Sequence, residues 1–116
     1  MTTPGRLTRA DWARDPELWK GRFEGQALGT GVSVIFVTLE KAGRGAVLHV
    51  HPYDEVFIVR RGRVRFTVGD AVVDAVEGDI LTAPANTPHK FETVDDERYE
   101  GIDIHLSPVI IQNDLE

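Results

Sequence analysis

Most of the chain alternates short apolar runs with turn residues. From Gly29 onward, runs rich in valine, isoleucine, threonine and phenylalanine follow one another: GVSVIFVTL, AVLHV, EVFIV, VRFTV, AVVDAV, DILTA, HKFETV and YEGIDIHL. Turn signals separate these runs, at 43–45, 61–62, 69–70, 77–78 and 84–88. Short strands at this spacing, with no helix between them, predict an all-β fold built as an antiparallel sandwich or barrel.

The N-terminal segment has a different pattern. Residues 8–20 are predicted to form one or two helical turns, with Thr8 as N-cap and Asp11 three residues later in a capping-box pattern. Trp12 and Trp19 are expected to cover a hydrophobic surface. A chain of 116 residues supports one core. We therefore expect a single domain in which a helical or extended segment, residues 1–27, packs on a β-barrel formed by residues 28–116.

Composition and charge exclude several classes of function. The net charge of −6 argues against a nucleic-acid or anionic-membrane surface, which requires clustered lysine and arginine. The absence of cysteine excludes disulfides and thiol chemistry. The N-terminus lacks the apolar region of a signal peptide, and no apolar run approaches about 18 residues. The sequence predicts a cytoplasmic protein without nucleic-acid or membrane partners.

Two histidines and a glutamate lie close together in the stretch HVHPYDE. Residues i and i+2 of a strand point to the same face, so the side chains of His49 and His51 face one volume. Pro52 cannot donate a hydrogen bond to a strand ladder, so the chain is expected to bend there. Glu55 begins the next strand and shares its face with Phe57. If that face is the inner one, the Glu55 carboxylate returns to the volume that the histidines face.

A third histidine completes this set. His89 follows a proline-bracketed loop and starts a strand, so His89 and Phe91 are expected to face the interior together. Three imidazoles and one carboxylate would then surround one point. On a six-coordinate ion, this set leaves positions open, as in catalytic or ligand-binding sites.

At these residues the chain resembles the cupins. Their first motif has the form G-x5-H-x-H-x3-4-E-x6-G, and every fixed position of this motif is filled here. The residues are Gly43, His49, His51, Glu55 and Gly62. The second motif has the form G-x5-P-x-G-x2-H-x3-N. Gly78, Pro84 and His89 match it, whereas Asn86 replaces the usual glycine and Thr93 the usual asparagine. Asparagine tolerates the left-handed backbone better than most residues do.

The resemblance implies a small single-domain cupin. Its fold would be a double-stranded β-helix, or jelly-roll barrel, preceded by a short N-terminal helical segment. It also implies a homodimer and one divalent transition metal ion per chain, of unknown identity (Fe, Mn, Ni, Zn or Cu). The proposed ligands are His49, His51, Glu55 and His89. An outward apolar set containing Val32, Val34 and Phe36, or their neighbours of opposite parity, is expected to form the contact between subunits.

The fourth histidine lies outside both motifs. His105 alternates with Ile102, Ile104 and Leu106, which are expected to occupy the core face and to leave Asp103 and His105 on the outer face. In the alternative register, His105 lines the mouth of the cavity as an acid–base residue beside the metal. His105 is therefore a weak catalytic candidate, and no other catalytic residue is assigned.

Two classes of function remain open. The first is a metal-dependent enzyme, of the dioxygenase, isomerase, lyase or cyclase type, that acts on a small organic acid or carbonyl compound. One carboxylate and a divalent ion leave a net charge of about +1, which favours an anionic and bidentate ligand. The second is a non-catalytic module that senses a ligand or a metal and acts through a partner. Kinship of fold does not choose between them.

Overall fold

The structure, a computed structural model, describes residues 3–116 and is built almost entirely from β-strands. The strands are β1 (Gly21–Phe23), β2 (Ser33–Leu39), β3 (Gly45–Val50), β4 (Glu55–Arg61), β5 (Arg63–Val68), β6 (Ala71–Val76), β7 (Ile80–Ala83), β8 (His89–Thr93), β9 (Tyr99–His105) and β10 (Asn113–Asp114). A helical turn, α1 (Arg9–Trp12), precedes β1, and a 3₁₀ helix (Gly25–Leu28) follows it. The predicted all-β fold with a short N-terminal helix is confirmed. None of the helices in residues 3–116 is long and apolar enough to cross a membrane.

Two five-stranded sheets form the barrel. The first has the strand order β1-β2-β9-β4-β7 and the second β10-β3-β8-β5-β6, and all pairings are antiparallel. Alternate residues of each strand face the space between the sheets. The apolar core there includes Phe57, Val59, Val64, Phe66, Phe91 and Tyr99. This core fills one part of the barrel interior.

The N-terminal segment packs against the first sheet. The backbone N–H of Thr8 donates to a carboxylate oxygen of Asp11 at 2.8 Å, as the capping-box pattern predicts. The helix ends at Trp12 because Ala13 forms a β-bridge with Gly21. Trp12 and Trp19 cover the outer face of the sheet, where their ring centroids lie 4.7 and 5.3 Å, respectively, from the ring centroid of Phe36. The expectation that the two tryptophans cover a hydrophobic surface is confirmed.

The expected orientation of β9 is wrong. Asp103 and His105 are buried in the barrel, whereas Ile102 and Ile104 are half-buried and Leu106 is exposed. The pairing register explains this, because residues directly opposite in neighbouring strands share a face. His105 pairs with Glu55, and both point inward, while Ile102 pairs with Phe36 on the outer face. The alternative register, with the polar residues of β9 facing the cavity, is the one that the structure shows.

Two turn glycines provide a matched test of backbone packing. Gly62 and Gly78 both have a positive φ, 83° and 92°, which glycine tolerates best. A Cβ at Gly62 would collide with the carbonyl oxygen of Arg98, whereas a Cβ at Gly78 would meet open space. We expect Gly78→Ala to lower the free energy of unfolding by about 1 kcal/mol. Gly62→Ala should cost roughly 1–3 kcal/mol more, because the backbone must shift. Urea unfolding measures both, and equal losses would contradict the packing argument.

Candidate metal centre

Strands β3, β4 and β8 bring the first residues of the site together. Ala46 pairs with Phe91 and His49 with His89, so β3 contains one extra residue over this stretch, a β-bulge. The bulge sets His49 directly opposite His89, and both side chains are buried. The chain bends after His51, and Glu55 begins β4 with its side chain inside the barrel.

The four residues that the motifs single out converge on one point. One potential ligand atom from each of His49, His51, Glu55 and His89 lies within 4.8 Å of the others. Oε1 of Glu55 is 3.1 Å from Nε2 of His51 and 3.0 Å from Nε2 of His89. The ring centroids of His49 and His89 are 4.3 Å apart. Sequence spacing alone therefore identified a cluster that the fold assembles from three strands and a bend.

Backbone carbonyls determine which nitrogen each ring turns toward this point. Nδ1 of His49 lies 2.6 Å from the carbonyl oxygen of Val47, and Nδ1 of His89 lies 2.9 Å from that of Thr87. Nδ1 of His51 lies 2.6 Å from the carbonyl oxygen of Ile111. A carbonyl only accepts hydrogen bonds, so each Nδ1 carries the proton and donates. In the neutral rings Nε2 then carries the lone pair that a metal ion binds, the arrangement that metal-ligating histidines adopt. Without a metal, Nε2 of His89 is within hydrogen-bonding distance of Oε1 of Glu55, at 3.0 Å.

One nitrogen of the cluster tests whether the residues fit a metal. Nε2 of His51 is buried and, within residues 3–116, has no hydrogen-bond partner. It lies 3.1 Å from Oε1 of Glu55, but the two atoms do not form a hydrogen bond. Leaving a buried polar atom without a partner costs about 1–3 kcal/mol. A cation between the imidazoles and the carboxylate would satisfy this nitrogen, so the cluster is suited to a metal ion.

The electrostatics of the cluster centre on the Glu55 carboxylate. Burial alone would raise the pKa of Glu55, but contacts with His105, His51 and His89 outweigh burial and hold this pKa below its usual range. Burial lowers the pKa of His49. Burial also acts to lower the pKa of His89, but the hydrogen bonds with Glu55 and Thr87 and the charge of Glu55 together outweigh burial and raise this pKa. Glu55 therefore remains an anion around which the imidazoles are arranged.

Two further polar residues lie beside this carboxylate. Nε2 of His105 is 3.2 Å from Oε2 of Glu55, whereas the contacts of His51 and His89 are with Oε1. The hydroxyl of Tyr53 lies 2.8 Å from Nδ1 of His105, and the Tyr53 ring stacks on the ring of His51. No role for Tyr53 is predicted from the sequence, because a tyrosine in a predicted bend carries no signal of where its ring will lie.

A cavity of about 150 Å³ adjoins the cluster. Its apolar wall consists of Ile35, Val37, Ala46, Phe57 and Phe91. Its polar lining comes from His49, Glu55, Asp103, His105 and Gln112. Burial, together with the charge of Glu55, raises the pKa of Asp103 well above its ordinary value. Burial therefore favours the neutral form of this carboxyl, which is able to donate a hydrogen bond.

Comparison with known proteins identifies the family. The family model for the cupin domain matches residues 35–105, which contain both motifs and the whole cluster. The chain belongs to the cupin family. No curated protein matches the sequence.

Solved cupin structures share the fold. A cupin protein from Bacteroides fragilis is 16% identical, with a TM-score of 0.70, over 97% of this chain and 92% of that chain. A cupin-like protein from Thermotoga maritima is 26% identical, with a TM-score of 0.67, over 75% of this chain and 66% of that one. Oxalate decarboxylase from Bacillus subtilis, which has Mn(II) centres, is 21% identical, with a TM-score of 0.72, over 84% of this chain. This chain spans only 29% of that enzyme.

Proposed function

We propose that this cupin binds one divalent transition metal ion per chain through His49, His51, Glu55 and His89. The observation that carries the proposal is the orientation of the three imidazoles, whose Nδ1–H groups donate to backbone carbonyls while Nε2 faces the shared point. The orphaned Nε2 of His51 supports it independently. Three nitrogens and one oxygen suit Fe, Mn, Ni, Zn or Cu. The Mn(II) centres of oxalate decarboxylase make manganese the first ion to test.

We further propose that the site is catalytic and acts on a small organic acid or carbonyl compound. The lining of the adjoining cavity contains no lysine or arginine among the described residues. An acid group of the substrate would therefore be neutralised by the metal site, whose net charge is about +1. The apolar wall would contact the rest of the substrate, and the Asp103 carboxyl, which also lines the cavity, would hydrogen-bond to it. When bound, the metal supplies Lewis acidity, or dioxygen chemistry if it is redox-active.

The competing function is a module that holds a ligand or metal without turnover. The cavity supports this alternative as well, because its polar groups would hold a ligand whether or not it reacts. Oxygen uptake and product formation by the iron- or manganese-loaded protein, measured with a panel of small organic acids and carbonyl compounds, separate the two. His89→Ala serves as the control. Turnover by the wild type that is lost in this variant supports an enzyme. Binding of the same compounds without turnover supports the module.

Metal content provides the direct test of the ligand set. We expect about one ion per wild-type chain, and loss of most of it in His49→Ala, His51→Ala and His89→Ala, because three-ligand remnants bind far more weakly. His105→Ala is the matched control and should keep the ion, since His105 contacts Oε2 of Glu55 and is not one of the proposed ligands. Elemental analysis after dialysis measures all four variants. Unchanged metal in the first three, or loss confined to His105→Ala, would refute the assignment.

Acidification should release the ion. Metal binding requires neutral imidazoles, so protons compete with the metal as the pH falls through about 6. In the metal-free protein the pKa of His89 is raised, so this ring takes up a proton at a higher pH than an ordinary histidine does. The pKa of His49 is lowered, so the His49 ring takes up a proton only at a lower pH. Equilibrium dialysis across this pH range measures the loss. Retention of the ion well below pH 6 would argue strongly against histidine ligation.

We also propose that the chain forms a homodimer through the outer face of the first sheet. Ile58 and Ile102 lie side by side on that face and are only half-buried. They continue the row of Phe36, which Trp12 and Trp19 already cover. Ile80 extends the same row and is 67% exposed. Contiguous apolar surface of this kind is typical of protein contacts.

Light scattering tests the dimer at tens of micromolar, an order-of-magnitude range for ordinary interfaces. We expect a dimer for the wild type and a shift toward monomer for Ile80→Lys, which places a charge in the apolar row. Val72→Lys is the matched control, because Val72 is similarly exposed, at 61%, but lies on the other sheet. A wild-type monomer, or an equal effect of the two lysines, would contradict the proposal.

A further inference from the structure

The Glu55 carboxylate has two oxygens with different surroundings. Oε1 lies among the imidazoles, 3.0 Å from Nε2 of His89 and 3.1 Å from Nε2 of His51. Oε2 lies 3.2 Å from Nε2 of His105. Carboxylates bind metal ions through one oxygen or through both. A group that holds Oε2 therefore favours coordination of Glu55 through Oε1 alone.

The hydrogen bonds around Tyr53 determine where the proton of His105 lies. The backbone N–H of Ile111 donates to the Tyr53 hydroxyl oxygen at 3.1 Å. The hydroxyl proton can then be donated to Nδ1 of His105, which at 2.8 Å is nearer than its other acceptor, the carbonyl oxygen of Ile111 at 3.4 Å. An Nδ1 that accepts a hydrogen bond leaves the proton of a neutral imidazole on Nε2. This Nε2–H group is the one that faces Oε2 of Glu55.

We propose that Tyr53 and His105 hold Oε2 of Glu55 away from the metal, so that the glutamate coordinates through Oε1 alone and one metal position stays open for a ligand. The inference rests on the proposed metal site and assigns His105 as a positioning residue. The ring centroid of His105 lies 4.7 Å from that of His51, but His105 is not among the residues whose ligand atoms all lie within 4.8 Å of one another, so we assign it no ligand position. A ligand would reach the open position from the cavity, which Glu55, Asp103 and His105 help to line.

Two amide substitutions of similar polarity distinguish the roles of the two ring nitrogens of His105. The side-chain amide of glutamine reaches about as far as Nε2 of histidine, and that of asparagine only about as far as Nδ1. His105→Gln therefore keeps a donor for Oε2 of Glu55, whereas His105→Asn keeps only a partner for Tyr53. Tyr53→Phe removes the group that sets the tautomer and leaves His105 in place.

The test uses the full chain loaded with Co(II) and titrated with azide, an anion that binds cobalt at open positions. Cobalt content is measured by elemental analysis, and the visible spectrum reports coordination and azide binding. We expect all variants to hold about one cobalt per chain. The azide dissociation constant should rise about tenfold in His105→Asn, stay near the wild-type value in His105→Gln, and rise by a smaller factor in Tyr53→Phe. The cobalt spectrum before azide should change in the same order.

Each outcome decides a different point. If the wild type takes up no cobalt, the proposed metal site fails and the inference fails with it. Wild-type azide binding in fully loaded His105→Asn overturns the inference alone. Loss of cobalt from His105→Asn would show that His105 holds the metal itself and would also overturn the inference. Equal loss of azide binding in His105→Asn and His105→Gln would overturn it as well. If His105→Asn does not fold, the half-buried Tyr53→Phe decides, and unchanged azide binding there contradicts the proposal.

Discussion

The buried carboxylate of Glu55 is the constraint on which the polar half of the barrel depends. Its side chain is only 3% exposed. Removing a carboxylate from water costs several kcal/mol unless polar partners replace the water. Here imidazoles from three other parts of the chain approach the two oxygens: His51 after β3, His89 on β8 and His105 at the end of β9. One charged group thus ties together the two sheets at this end of the molecule.

The same strands carry the apolar core a few residues further on. Phe57 and Val59 follow Glu55 on the inner face of β4, and Phe91 follows His89 on β8. The barrel interior therefore divides into a polar end and an apolar end along the strands themselves. Asp103 lies at the boundary, paired in register with Ile35 and Phe57, where burial raises its pKa. The cavity opens at this boundary, so a ligand there would contact both kinds of surface.

The C-terminal segment supplies hydrogen bonds to the polar end. The carbonyl of Ile111 accepts the hydrogen bond that orients the His51 ring, and the N–H of the same residue donates to Tyr53. His49 and His89 instead use carbonyls two residues before them in sequence. The orientation of His51 therefore depends on a contact that spans 60 residues. Changes near the C-terminus would reach the site through the backbone of Ile111 and through Gln112, which lines the cavity.

Much of the site follows from local spacing. Side-chain direction alternates along a strand, so two histidines at i and i+2 share a face. The two cupin motifs predict that Glu55 and His89 join them. Asn86 adopts a left-handed φ of 64°, as expected where glycine is usual. Neither Tyr53 nor the Ile111 carbonyl could be found in this way, because their positions depend on how the bend and the C-terminal segment cross the mouth of the barrel.

The sequence by itself determined the strands and the shared face of His49 and His51, because each is a property of residues near one another in the chain. The convergence of Glu55 and His89 required the tertiary fold, since they lie 34 residues apart. The face of β9 was decided only by tertiary structure. In that strand isoleucines alternate with Asp103 and His105, so either face is a plausible core face from the pattern alone. The register with β4 sets His105 opposite Glu55, and the tryptophans cover part of the outer face that receives the isoleucines. Both are long-range pairings, and a shift of one residue would reverse them.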